Sequence, residues 1–210
     1  LTELLAFLQE NYNLVTLSIE TNYRSVFDAG ARRMEYVDFL EKEYMGQFSR
    51  AISHVTDEDE SRHLLRLITR YDYLFQIHDS IQDLFNAKLL MNKQYVDLKS
   101  DVLLIVWELS SYTLALFDDI NKSLAAGEPP HVTDKVHDLR ACLEQSNREL
   151  LSLLADPDRR DAGSLSNFVT YSRRLMDKLV NFSKLSSAHL QDARALAEPV
   201  KAAGEPAAES

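Results

Sequence analysis

Apolar residues return along this chain at steps of three and four, with polar and charged residues between them. A helix of about 3.6 residues per turn gathers such positions on one face, so the spacing predicts a succession of amphipathic helices. The first carries Leu1, Leu5, Leu8, Tyr12, Val15 and Ile19. The second carries Phe27, Gly30, Met34, Val37, Leu40, Tyr44, Phe48 and Ala51. Thr56, followed by Asp57, Glu58, Asp59 and Glu60, reads as a capping hydroxyl ahead of first-turn acids, which satisfies free N–H groups and the helix dipole. The third helix then shows Leu64, Leu67, Tyr71, Leu74, His78, Ile81 and Phe85 on one line. A fourth stripe runs Leu98, Val102, Ile105, Leu109, Tyr112, Leu116, Ile120 and Leu124, and Pro129 and Pro130 stop it. Thr133 is the expected cap of a fifth helix with Val136, Leu139, Leu143, Ser146, Leu150 and Leu153. Ser164 is expected to open the sixth, through Leu165, Phe168, Ser172, Leu175, Leu179, Phe182 and Leu185. The small, polar, proline-bearing stretch 196–210 is expected to be a disordered tail. The fold class is therefore all-α.

Composition sharpens this picture at a few points. Five glycines and five prolines, two of the prolines and one glycine beyond residue 195, leave few breakers in the body of the chain, which favours long helices. A formal charge of −10 repels phosphate backbones, and Arg32-Arg33, Arg159-Arg160 and Arg173-Arg174 are too scattered to form a basic patch, so nucleic acid is not an expected partner. The single cysteine, Cys142, has no intramolecular partner and suits a reducing compartment as a buried free thiol. No uninterrupted apolar run approaches the roughly 20 residues that span a bilayer. The longest, "VLLIVW" at 102–107, suits a buried helix face. A chain opening on Leu1 is expected of a segment excised from a longer polypeptide.

The segment "LFQIHD" at 74–79 is unusual in placing His78 and Asp79 among large apolar residues. It aligns with "MDKLVN" at 176–181, an offset of 102 residues, apolar at the first and fourth positions and polar at the third and sixth. The alignment divides the chain near residue 96 into two sets of three helices. On these residues the chain resembles the PhoU family, whose signature on the last helix of each half reads roughly L-E-R-I-G-D. Leu74, Ile77 and Asp79 match the first copy, with Phe75 in place of the acid and His78 in place of the glycine. Asp177 and Leu179 match the second, with Asn181 where an aspartate belongs. "MEYVDFLEKEY" at 34–44 is similar to the family's acid-rich second helix, with Glu35, Asp38 and Glu41 on neighbouring turns.

The resemblance implies two tandem three-helix bundles of long antiparallel helices, 1–95 and 96–195. It also implies a regulatory or interaction domain like those fused to bacterial sodium/phosphate symporters, on the cytoplasmic side of the inner membrane. Its partners would be the membrane portion of the same polypeptide and, as a candidate, a second copy. The alternative is a free-standing adaptor docking on a phosphate-signalling sensor kinase or transporter. The family's acid pairs bind clusters of metal ions. The residues here that would hold divalent or ferric ions are Asp79, Asp83, Asp38 and Asp177, although each copy keeps only one acid of the pair.

Beside that reading, the bland one is that these acids form a solvated flank and that His78 is a core histidine linked to the surface through one nitrogen. Glu60 and His63, and Asp134 and His137, have the acid-x-x-His spacing of di-iron bundles. Both pairs fall in first turns, where capping explains the acids, so a di-iron enzyme is the weakest alternative. No arrangement activates Cys142 or a serine, no glycine-rich phosphate loop occurs, and the chain is not expected to be an enzyme.

Overall fold

In a computed structural model of the chain, residues 1–202 are described, with side chains as far as 191. Six helices account for them: α1 (Thr2–Thr21), α2 (Arg24–Ile52), α3 (Glu58–Gln94), α4 (Ser100–Ala125), α5 (Thr133–Leu154) and α6 (Ala162–Ala202). No strand occurs among the described residues, and the protein is an all-α helical bundle. The expected tail, 196–210, straddles the end of the description. α6 continues to Ala202, and 203–210 lie outside the described residues.

The stripes predict the buried faces well, with one displaced position. On α4, Tyr112 is 41% exposed, and the neighbouring Thr113 is fully buried in its place. Over a helix this long a strict three-four count drifts round the surface, and a threonine fits where helices approach closely. Its hydroxyl bonds back to the Leu109 carbonyl at 2.8 Å. Caps also differ from expectation. Asp57, not Thr56, caps α3, its carboxylate accepting from the N–H groups of Asp59 and Glu60 at 3.0 Å each. Thr133 is the first residue of α5, behind Val132, and α6 opens at Ala162, ahead of Ser164. α4 is, by length and composition, the one described helix apolar enough to cross a bilayer. The reading of 102–107 alone missed this because polar residues interrupt the stretch. Much of α4 is nonetheless covered by protein: Val102, Ile105, Val106, Leu109, Leu116, Phe117 and Ile120 are buried.

Packing follows a simple plan. Every pair among α1, α2 and α3 is in contact, and so is every pair among α4, α5 and α6. Across the two sets, α1 lies on α4 and α3 on α6, the latter being the most extensive contact among the described residues. Both cross-pairs are antiparallel. Gln9 meets Asn121 while Tyr12 meets Phe117, and Gln76 meets Lys178 while Asp83 meets Arg174. The apolar side chains of both sets join one continuous core. Tyr12 is fully buried in it, with ring centroids 5.9 Å from Phe117. Burial pushes its phenol up to about 12, only partly opposed by the Thr113 and Ser110 hydroxyls beside it.

Connections are short and individually fastened. Asn22 closes α1 in the left-handed region, φ 57°, which asparagine tolerates. Gly127, φ 67°, ends α4 with its N–H on Leu124 and the Glu128 N–H on the Ser123 carbonyl, a turn that a side chain would strain. The loop from α5 to α6 is held by charge. Arg159 forks onto both Asp101 oxygens at 2.8 and 3.0 Å, and its Nε reaches Asp161 at 2.9 Å. Asp161, only 2% exposed, also accepts the Lys99 N–H at 3.0 Å, where α4 begins. Although burial works against its charge, Arg159 and the Lys99 amide together hold the Asp161 carboxyl below its ordinary value. Arg159 does the same for Asp101.

Two outcomes follow. Asp161→Asn lowers the melting temperature at neutral pH by several degrees. Because the folded carboxyl titrates below 3.8, that deficit persists until the pH falls below this value and closes as the parent's Asp161 becomes protonated in the folded and unfolded states alike. Asp57→Ala frees two N–H groups at the start of α3 and costs about 1 kcal/mol in denaturant unfolding.

Candidate functional site

α3 places His78 on its inner line between Leu74 and Ile81, and the ring is 1% exposed. A buried imidazole needs a partner, and α2 supplies one. Nε2 lies 2.9 Å from Oδ1 of Asp38, a residue whose side chain is 53% exposed. An ionised carboxylate can only accept, so the ring donates its Nε2–H to Asp38, and Nδ1 is left without a hydrogen-bond partner. The expected link from core to surface through one nitrogen is therefore present, and Asp38 is the far end of it. This bond ties α2 to α3 in the middle of the first three helices.

Around it lies a strip of carboxylates on α2 and α3. Burial raises the Glu41 carboxyl above its ordinary range, with Asp79, Asp38 and Asp72 adding to the rise and His78 opposing it. Burial likewise raises Asp79, with Asp83, Asp38 and Asp72 adding to it and His78 again opposing. These acids are close enough to repel one another, yet only Asp38 is joined to the histidine.

On its other side Asp79 looks onto α6. Gln76, Asp79, Asp83, Arg174, Asp177 and Lys178 line a groove of about 500 Å³ between α3 and α6, and Asn181 completes its wall. Lys178 Nζ donates to Gln76 Oε1 at 2.5 Å, and Arg174 reaches Asp83 at 3.5 Å. Gln76 and Lys178 are 102 residues apart. That is the same offset that lays "LFQIHD" over "MDKLVN", so equivalent positions of the two segments touch each other. Two copies of a segment meet in this way when they face one another across a two-fold relation.

The four residues expected as metal ligands are thus separated into two places. Asp79, Asp83 and Asp177 share the α3–α6 groove, while Asp38 is engaged with His78. Among the described residues no three His, Cys, Asp or Glu side chains are arranged to hold a metal ion. The groove does not fit one on charge either, since Arg174 and Lys178 bring two cationic heads among its three carboxylates. Glu60, His63, Asp134 and His137 are all exposed rather than turned into the bundle as di-iron ligands require. Cys142 is half-buried, and burial, with Glu108 adding to it, raises its thiol away from reactivity. Matched against models of known protein families and against curated proteins, the chain finds no counterpart in either.

The His78–Asp38 bond and the raised acids give separable expectations. Asp38→Ala strips the buried ring of its partner and costs about 1–3 kcal/mol. In His78→Leu, which needs none, the same aspartate substitution costs much less, so a double-mutant cycle in urea shows strong coupling. Asp79→Asn raises the melting temperature at pH 7. The folded carboxyl titrates above its ordinary 3.8, so its charge opposes folding above that window and the gain disappears once both states are protonated below it.

Proposed function

We propose that this chain is a PhoU-like domain of two tandem three-helix bundles, 1–95 and 96–195, that regulates a sodium-dependent phosphate symporter by contact from the cytoplasmic side of the bacterial inner membrane. The observation that carries the reading is the hydrogen bond between Gln76 and Lys178, which joins equivalent places in the two motif copies. The matched contacts of α1 with α4 and α3 with α6 agree with it: in each case a helix meets its own counterpart.

A domain of this kind acts through its surface. Tyr36 and Phe39 stand exposed on α2. Phe7 of α1 meets the Tyr36 ring edge-on at 5.6 Å, and the Arg33 guanidinium lies 3.8 Å over the Phe7 ring. Rigid aromatic rings beside an arginine are the residue types that anchor protein partners. Leu104 and Trp107 are exposed on α4, Leu151 and Leu154 on α5. In the proposed mechanism these faces bind one conformation of the transporter more tightly than another. The domain can move that equilibrium only by the difference between the two contact energies.

Deleting residues 1–190 from the transporter-bearing polypeptide is expected to leave an inserted transporter whose uptake responds differently to external phosphate. Tyr36→Ala with Phe39→Ala should reproduce part of that change in a domain that still unfolds cooperatively. Uptake kinetics identical to the parent across a range of phosphate concentrations, in both cases, would contradict the proposal.

A further inference from the structure

Lys88 is an unusual lysine. It lies on α3 ten residues beyond His78, yet it is only 3% exposed. Its ammonium donates a hydrogen bond to Oδ1 of Asn22 at 2.6 Å, and among the described residues it has no carboxylate within the 4.0 Å of an ion pair. An ammonium carries three N–H donors, and a buried cation without a counter-charge is costly to the fold. Burial accordingly holds Lys88 below the ordinary lysine range, and Asp97 offsets this only in part. A leucine or methionine would fill the same place without that cost.

The surroundings suggest what the charge is for. Lys88 stands at the end of the bundle where the α1–α2 turn meets the connection from α3 to α4. A cavity of about 490 Å³ opens there, and a second of about 80 Å³ adjoins it, with Lys88 and Asn22 in the walls of both. The larger falls in the size range of small-molecule sites. Both turns that frame it are locked in left-handed backbone, Asn22 at φ 57° and Tyr95 at φ 53°. For a residue as bulky as tyrosine that conformation is uncommon and strained. Asn92 contributes a further amide to the wall, and Phe27 and Met91 contribute apolar surface. Asp28 in the wall is paired with Arg24 at 3.7 Å. Asp97, whose charge acts on Lys88 from beyond ion-pair distance, also lines the cavity, and Glu20 lines the smaller one; both work against ligands carrying more than one negative charge.

We propose that this end cavity binds a small organic monoanion, a carboxylate or a phosphate diester with an apolar body, seated on the Lys88 ammonium. The anion takes the donors that Asn22 leaves over, and its body lies against Phe27 and Met91. Bound ligand would fasten the α1–α2 turn to the connection between α3 and α4.

The test is calorimetry and thermal melting of the whole chain with three probes at fixed ionic strength: benzoate, methyl phenyl phosphate, and benzylamine as a cation of the same body. Benzoate or methyl phenyl phosphate is expected to bind and to raise the melting temperature, and the one that does so identifies the head group. Benzylamine is expected not to bind. Lys88→Met should melt at or above the parent temperature and bind the anion at least tenfold more weakly. If that variant fails to fold, Lys88→Gln, which keeps a donor and loses the charge, serves in its place. Failure of both anions to bind the parent, equal binding by the variant, or equal binding of benzylamine would overturn the proposal. The cavity lies apart from the aromatic face of α2, so these results are independent of those for transporter control.

Discussion

Two rods, α3 and α6, lie against each other more extensively than any other pair of helices, and the molecule is organised around that contact. Each is the last helix of its set of three, and each is too long to be covered by its own neighbours. An amphipathic helix gains most of its stability from burying its apolar face, not from propensity. Leu74, Ile77 and Ile81 on α3, and Leu175, Leu179 and Phe182 on α6, are buried to within a per cent or so. The same logic brings α1 onto α4, so that one core runs through both sets. At the seam the polar residues are not symmetrical. Gln76 and Lys178 complement one another where two identical residues would merely repeat, and Arg174 faces Asp83.

α3 also carries two buried side chains that are basic, His78 and Lys88. His78 passes its hydrogen bond outward to Asp38 on α2, and Lys88 passes one to Asn22 at the end of α1. Both residues interrupt a line that apolar side chains would fill more stably, and each fixes a neighbouring element to the central rod. The difference between them is charge. An imidazole that donates to an aspartate is a self-contained link. An ammonium on a single amide is not, and a cavity opens beside it. The acids of α2 and α3 present the converse case: burial, with repulsion adding to it, raises Glu41 and Asp79, and Asp79 borders a groove already supplied with cations.

Periodicity made the six helices and nearly all of their buried faces readable in the sequence, because burial is what enforces the three-four spacing. Tyr112 escaped the count because position on a long helix drifts, and Thr113 turns inward beside Tyr12 of α1, a contact no local pattern encodes. The cap of α3 was read one residue early, since Thr56 and Asp57 are both good capping types and backbone geometry selects between them. The site was harder. That Asp38 and His78 are partners depends on a contact across 40 residues, which no local pattern encodes. Lys88 gave no signal at all, because lysine is ordinarily a surface residue and the turns that bury it come from elsewhere in the chain. Arg159 was visible only as part of an arginine pair, whereas its role is to hold Asp101 and Asp161 together. The acids that family resemblance singled out are indeed near α3, but helix packing divides them between two faces.

The central claim is that α3 and α6 face each other with Gln76 against Lys178, and charge reversal at those positions tests it directly. Gln76→Lys should destabilise the chain in urea unfolding, since two ammonium groups then meet, and adding Lys178→Glu should recover that loss and more. A double variant no more stable than Gln76→Lys alone would show that the two positions do not touch, and the arrangement of the two sets of helices would have to be redrawn.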